Sequence, residues 1–354
     1  MTATAPSTAL IGLGANLGDR EAALNAAVQS LHATPDSQVL AVSDWIATAA
    51  VGGPEGQPDF LNGAALIQTQ QSPKQLLESL QSIELALGRQ RQTRWEARSI
   101  DLDLLLFDEH IVATADLIVP HPWLAVRRFA LEPSRQIAPD MVHPGCGWSI
   151  ARLAEHLDNS PRYVAVLSDE QSGNHRLDWN SSAWQDVAHH GYPHAHLQWI
   201  RNPHSQPRDS AAPSLDIPQA LELLDQQVEV VKAVDAVGTC DPHQGTVPRG
   251  DWYISDFWIG CCGQHVRGSL DELAWFRSQV DAALMALPMP RLLIIATSSV
   301  WRAYAQWLAH GEVPGHRSSC WRSVNNHWRG PILFVAGDQD AIVQQLLAAL
   351  SAME

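Results

Sequence analysis

The chain contains no apolar run that approaches the length of a membrane-spanning helix, so it is read as a protein that stays in water. Its first residues, MTATAPSTALIGLG, hold no basic stretch, and their short apolar segment is broken by glycines, unlike a secretory signal. Cysteine is sparse. Cys146, Cys240, Cys261, Cys262 and Cys320 form an odd set without CxxC spacing, which argues against a disulfide framework and against a zinc site. Together these absences lead to an expectation of the reducing cytoplasm. Positive charge is also scarce: 23 Lys and Arg face 38 Asp and Glu, a formal net charge of −15. With a pI near 5.4, nonspecific binding of nucleic acid or an anionic membrane is disfavoured, and any anionic ligand must be small and locally held. Internal repeats and low-complexity tracts are missing as well.

What is present points to two folded domains. A length of 354 residues exceeds what one core usually serves, and 45% hydrophobic against 17% charged residues is a globular composition. In the first part, Ala9–Leu13, Val39–Ala47, Leu61–Gln68 and Ile100–Phe107 read as strands. Arg20–Leu31 reads as a helix, as does the segment opened by Ser72 and Pro73, whose Leu76, Leu77, Leu80, Ile83 and Leu87 recur at the spacing of one buried face. Gly88 ends that helix, and a short one is expected around Trp123–Phe129. This alternation implies an α+β sandwich. Asn, Ser and Pro within Asp158–Pro161 mark a linker, which places one domain at 1–160 and another at 161–354. In the second, strands at Tyr163–Leu167, Trp252–Ile259 and Leu292–Ala296 alternate with helices at Pro218–Val234, Leu270–Leu287 and Trp301–Ala309. With a final strand–helix pair within Ile332–Leu350, an α/β domain with a mostly parallel sheet is predicted.

The segment from Gly88 to Phe107, GRQRQTRWEARSIDLDLLLF, carries the most chemistry. On a strand, alternate side chains share a face, so Asp101 and Asp103 point the same way, about 7 Å apart, while Leu102 and Leu104 face the other side. Hard divalent cations would offset the cost of two acids side by side, and two Mg²⁺ ions there could bridge the oxygens of a polyphosphate. Arg89, Arg91, Arg94 and Arg98 add planar donors suited to phosphate. The competing reading is a solvated edge strand whose acids simply pair with those arginines.

Four segments together resemble the successive signatures of the 6-hydroxymethyl-7,8-dihydropterin pyrophosphokinase family: residues 12–19 (GLGANLGD), 57–62 (QPDFLN), 88–107 and 119–129 (VPHPWLAVRRF). The resemblance implies a ferredoxin-like α+β sandwich and transfer of the diphosphate of ATP to the pterin's hydroxymethyl group, releasing AMP, in folate biosynthesis. It further implies that Asp101 and Asp103 hold two Mg²⁺ ions and that Arg98 and Arg89 are catalytic, Arg98 on the nucleotide's phosphates and Arg89 approaching in the transition state. ATP would be bound by Gln81, Glu84, Arg91, Trp95, Arg98, His121 and Arg127. The pterin ring would lie between Phe60 and Phe129, its edge met by Asn62 and by the backbone around Thr48 and Val51. The glycines Gly12, Gly14 and Gly18 are read as serving a turn and close packing rather than a phosphate cradle.

The second half is less informative. DWYISDFW at 251–258, LPMPRLLIIATS at 287–298 and the stretch from Pro331 to Leu350 resemble parts of deoxynucleoside kinases. A P-loop requires a Gly-rich segment ending in Lys-Ser/Thr after the first strand, and here that strand is followed by SDEQSGNHRL. Lys232 is the only lysine of this half. The expectation is a P-loop-kinase-like domain without its P-loop, serving packing, homodimerisation or regulation. For the whole protein the alternatives are a bifunctional enzyme whose second half phosphorylates a nucleoside, and a ferredoxin-like RNA-binding or regulatory module. The histidines 189, 190, 194 and 196 read as solvated, and Cys261 with Cys262 as packing residues.

Overall fold

Strand β1 (Ser7–Ala15) has antiparallel neighbours on both sides, β4 (Phe60–Thr69) and β5 (Asp101–Phe107). Along the far side of β4 lie β2 (Ser37–Val42) and β3 (Ile46–Thr48). Helix α1 (Arg20–Ala33) follows β1, and α2 (Pro73–Ala86) joins β4 to β5. With β3 as a short extension, the order is βαββαβ over a sheet ordered β2-β4-β1-β5, a ferredoxin-like antiparallel arrangement. These elements belong to the first of two units in the computed structural model, Met1–Asp158 with Leu346–Glu354; Asn159–Gln345 form the second. Residues 5–51, 56–89, 98–168, 197–200, 215–238, 252–255, 266–287, 289–310, 328 and 330–354 are described.

Local chemistry sets these elements. Asp19 caps α1 by accepting from the Ala22 N–H, and Ser72 and Gln75 form a reciprocal capping box at the start of α2 behind Pro73. Gly88, at φ +84°, turns the chain out of α2 where a β-carbon would strain it. Leu24, Ala27 and Leu31 of α1 and Leu76, Leu80 and Ile83 of α2 pack on Ile11, Leu13, Leu102 and Leu104 of the sheet. Full burial of each such leucine or isoleucine contributes about 1.5–3 kcal/mol. The helices therefore take one face of β1 and β5. The other face is left to Gly12, Gly14, Asp101 and Asp103, and it is toward β4 and β1 that α3 (Arg128–Ile137) packs.

Three local readings differ from the structure. The strand expected over Val39–Ala47 is two strands, because Ser43 turns the backbone: its Oγ accepts from the Ala64 N–H at 2.8 Å, and the Asp44 N–H is held by Gln136 Oε1. The helix expected around Trp123–Phe129 is a 3₁₀ turn at Leu124–Val126, with α3 beginning only at Arg128. The two-residue ribbons β6 (Val112–Ala113) with β7 (Ile118–Val119) and β8 (Val142–His143) with β9 (Trp148–Ser149), and the helix α4 (Ile150–Asn159), had no counterpart in the sequence reading.

In the second unit, β10 (Tyr163–Ser168), β11 (Leu197–Ile200), β12 (Trp252–Ser255), β13 (Leu292–Ala296) and β14 (Ile332–Val335) form a parallel sheet ordered β11-β12-β10-β13-β14. Its helices are α5 (Ile217–Gly238), α6 (Leu270–Ala286), α7 (Val300–His310) and the first part of α8 (Gln339–Ala352). Every residue of β13 and β14 is buried, as a parallel sheet covered on both faces requires. The last nine residues, Leu346–Glu354, lie in the first unit rather than with the rest of 161–354.

Candidate active site

The strand register dictates the floor of a cavity on the sheet face opposite α1 and α2. Asp101 lies across from Gly14, which in turn lies across from Asn62; Asp103 lies across from Gly12. Two glycines between the acids and Asn62 keep the floor free of side chains. A β-carbon on Gly14 would stand 2.9 Å from Asn62 Oδ1, and one on Gly12 would press on Leu105 at 3.3 Å. Both glycines, with Asp101, Asp103 and Asn62, line this cavity.

Arginines surround the two carboxylates. Asp101 is 2.5 Å from Arg98 Nη1 and 2.7 Å from Arg89 Nη1, and Asp103 is 2.9 Å from Arg127 Nη1. The acid–arginine pairing of the competing sequence reading is thus present, and β5 is indeed at the sheet's edge. The acids nevertheless face a cavity rather than open solvent. Arg98 is positioned through its backbone: its N–H donates to Asn16 Oδ1 at 2.6 Å, and its carbonyl accepts from the Asn16 N–H at 3.0 Å. Asn16, 2% exposed at the end of β1, therefore fixes the start of the acidic segment.

Two further titratable groups stand beside these pairs, His121 half-buried and Glu84 fully buried. His121 Nε2 lies 3.9 Å from Asp103, and its Nδ1 accepts from the Trp123 N–H at 3.1 Å. Burial holds the His121 imidazole well below its ordinary 6.5, with the Arg127 charge acting in the same direction and Asp101 opposing. A neutral ring whose Nδ1 accepts carries its proton on Nε2, the atom that lies between Asp103 and, at 3.5 Å, Arg127 Nη1. Glu84, placed by the resemblance in the ATP-binding set, turns inward: its carboxylate accepts from the Leu102 N–H at 2.7 Å and pairs with Arg89. Burial raises the Glu84 pKa above its ordinary 4.5, against the lowering effects of the Leu102 N–H and Arg89.

At the opposite end, Phe60 and Phe129 both line the cavity, as do Thr48 and Val51. Asn62, buried in the floor, donates from Nδ2 to Thr48 Oγ1 at 2.7 Å. The Arg127 guanidinium lies 5.6 Å from the Phe129 ring centre and 5.7 Å from that of Trp123, joining the acidic and aromatic ends. An apolar slot with a buried amide at its edge suits a flat heterocycle, and the cationic end suits phosphate.

The model of the family 7,8-dihydro-6-hydroxymethylpterin-pyrophosphokinase (HPPK) matches residues 10–139, which carry this whole constellation. The 2-amino-4-hydroxy-6-hydroxymethyldihydropteridine pyrophosphokinase of Synechocystis is 37% identical over 150 residues, covering 42% of this chain and 76% of that protein. Its counterpart from Bacillus subtilis is 46% identical over 129 residues, covering 36% of this chain and 77% of that protein. This chain belongs to the hydroxymethyldihydropterin pyrophosphokinase family. The enzyme transfers the diphosphate of ATP to the hydroxymethyl group of 6-hydroxymethyl-7,8-dihydropterin in folate biosynthesis, and the family's chemistry uses Mg²⁺. A solved Plasmodium falciparum HPPK-DHPS structure aligns over 97% of this chain and 82% of that one, at 10% identity and a TM-score of 0.35, too low to bear on the second unit.

Within the pyrophosphokinase fold, Thr48, Val51, Phe60, Asn62, Arg98, Asp101, Asp103, Arg127 and Phe129 meet at one cavity, with Arg89 and His121 bonded to its acids or beside them. Gln81, on α2, does not line the cavity, and Arg91, Trp95 and Arg94 lie outside the described residues, as do His189, His190, His194, His196, Cys261 and Cys262. The sequence reading assigned no role to Asn16, Trp123 or Ala352. Asn16 and Trp123 stand inside the quoted signatures, where a polar residue closing a glycine-rich strand and a tryptophan beside a histidine were the available signals. Ala352 had none.

Proposed function

We propose that the pyrophosphoryl transfer takes place in this cavity. The pterin is held between Phe60 and Phe129 with Asn62 at its edge, and the polyphosphate of ATP lies over Asp101 and Asp103. The observation that carries this reading is the shared face of β5: two carboxylates, two residues apart, stand across a glycine floor from a buried amide and two aromatic rings.

The donor set suits Mg²⁺ bound together with a nucleotide. Among the described residues no group of three or more His, Cys, Asp or Glu could cage a metal, whereas Mg²⁺ is ordinarily held by one or two carboxylates and completes its shell with phosphate oxygens and water. Two such ions, sharing the two carboxylates, are what the paired aspartates would hold. When bound, the metal supplies charge that polarises the phosphoryl oxygens. Arg89, Arg98 and Arg127, which hold the aspartates in the described state, then turn their donors to phosphate, joined by His121 Nε2–H. Arg91 and Trp95 belong to the same ATP-binding set. With the hydroxymethyl oxygen and the β-phosphorus aligned, catalysis comes from positioning and charge neutralisation. Replacing Asp101 or Asp103 with Asn is expected to slow AMP formation from ATP and the pterin at least about 100-fold, since several kcal/mol of charge stabilisation is lost at about 1.4 kcal/mol per tenfold. Near-wild-type rates in both variants would refute the site.

The division of labour proposed for the chain is a pyrophosphokinase domain at 1–160 and a deoxynucleoside-kinase-like domain at 161–354 that has lost phosphoryl transfer. Its support is the parallel sheet with its first strand, β10, at the centre, where the strand order reverses and α/β proteins bind ligands. The missing P-loop lysine argues that the place is not used for chemistry. Homodimerisation is the role that the exposed Leu270, Trp275 and Met285 of α6 support.

A further inference from the structure

The final residues of the chain stand where no pyrophosphokinase signature reaches. The family model ends at residue 139, yet Ala352 lines the same cavity as Phe60, Asn62 and Phe129. Leu346–Glu354 belong to the first unit. This terminus is packed as firmly as a core element: Leu350 and Met353 are completely buried, and Ala352 is 2% exposed. It is fixed by hydrogen bonding as well. The Met353 carbonyl accepts from Arg128 Nε at 3.3 Å, and the same guanidinium holds the Leu157 carbonyl at 3.3 Å and pairs with Asp158. Arg128 opens α3, and the next two residues of that helix, Phe129 and Ala130, are cavity wall. The terminus is thereby pinned to the helix that presents the aromatic end of the cavity.

We infer that the C-terminal segment Leu346–Glu354 completes the pterin-binding wall, with Ala352 as a specificity-determining residue whose small side chain leaves room for the ring. Arg128, which the sequence alone reads as a surface charge, positions this wall through the Met353 carbonyl and does not touch substrate. The inference rests on the cavity being the pterin site, so that assumption is tested alongside it.

The experiment uses the full-length chain and steady-state kinetics with Mg²⁺, ATP and 6-hydroxymethyl-7,8-dihydropterin. Ala352→Leu is expected to raise KM for the pterin about tenfold while KM for ATP stays within twofold; Ala352→Val, a smaller intrusion, raises pterin KM to a lesser degree and serves where the leucine variant does not fold. Phe60→Ala, run in parallel, is expected to raise pterin KM by a similar factor. If Phe60→Ala weakens pterin use but a cooperatively melting Ala352 variant leaves its KM unchanged, the C-terminal wall is overturned and the pterin cavity stands. If Phe60→Ala also leaves KM unchanged, the cavity assignment itself falls, and the wall with it. Equal rises in both KM values for the Ala352 variants would mark general distortion and likewise overturn the assignment.

Discussion

At the scale of single residues, the site depends on groups whose ionisation the fold has set in advance. His143, on the short ribbon beside α4, shows the thermodynamic side of this. It is 2% exposed, its Nδ1 accepts from the Gly145 N–H, and burial lowers its pKa from 6.5 to about 4. In the unfolded chain the same ring takes up a proton near 6.5, so between pH 6.5 and about 4 the unfolded state binds more protons than the native one. The stability owed to neutral His143 is therefore complete above pH 6.5, declines as pH falls toward 4 at up to about 1.4 kcal/mol per unit, and is flat below that. His143→Gln should remove that part of the slope, measured as the difference in denaturant midpoints between pH 7.5 and pH 4.5. His121 shifts in the same direction, and comparing variant with parent isolates His143 from it.

At the scale of elements, much was legible because local rules and tertiary packing agree. Ser72-Pro73 with the leucine spacing after it defines α2, Gly88 ends it, and the alternation of Asp101, Leu102, Asp103 and Leu104 tells which side of β5 meets the helices. Where the reading failed, a distant partner decides. Val39–Ala47 has the composition of one strand, yet Ser43 and Asp44 are turned by Ala64 and Gln136, bonds no local pattern encodes. Glu84 on α2 is placed by the family resemblance with the ATP-binding residues, and its inward turn is set by the Leu102 N–H of β5 and by Arg89, partners no local pattern encodes. Trp45, between β2 and β3, lies over Gly63 of β4, where a β-carbon would come within 2.3 Å of its ring. Gly63→Ala should therefore force the indole aside and destabilise the unit by about 1–3 kcal/mol, detectable as a lower melting temperature. An unchanged melting point would show that Trp45 can move freely.

At the scale of the whole molecule, the pyrophosphokinase signatures occupy less than half of the sequence, and the remainder has to be judged by what it can still do. A parallel sheet with no P-loop lysine after its first strand leads to a definite expectation: with γ-labelled ATP, the pterin and a panel of deoxynucleosides, the intact enzyme should form the pterin diphosphate and no labelled deoxynucleoside monophosphate. Transfer to any nucleoside would restore the bifunctional reading. Light scattering on the same material should give the mass of a dimer if the exposed apolar residues of α6 face a second copy, and Leu270→Glu with Met285→Glu should return it to a monomer. Ala352 marks the limit of what sequence could supply, since its place in the cavity depends on a chain end that returns after more than two hundred intervening residues.

The same strand that bears the acids is also an open border of its sheet, and an open border is a template on which another chain can pair. Here two of the outward groups are already taken: Glu84 closes the Leu102 N–H, and the His121 backbone N–H closes the Leu105 carbonyl. Two residues that the family resemblance assigns to ATP thus also blunt an aggregation-prone edge. Loss of Glu84 would be felt first in how much protein remains dispersed during expression, before any rate is measured.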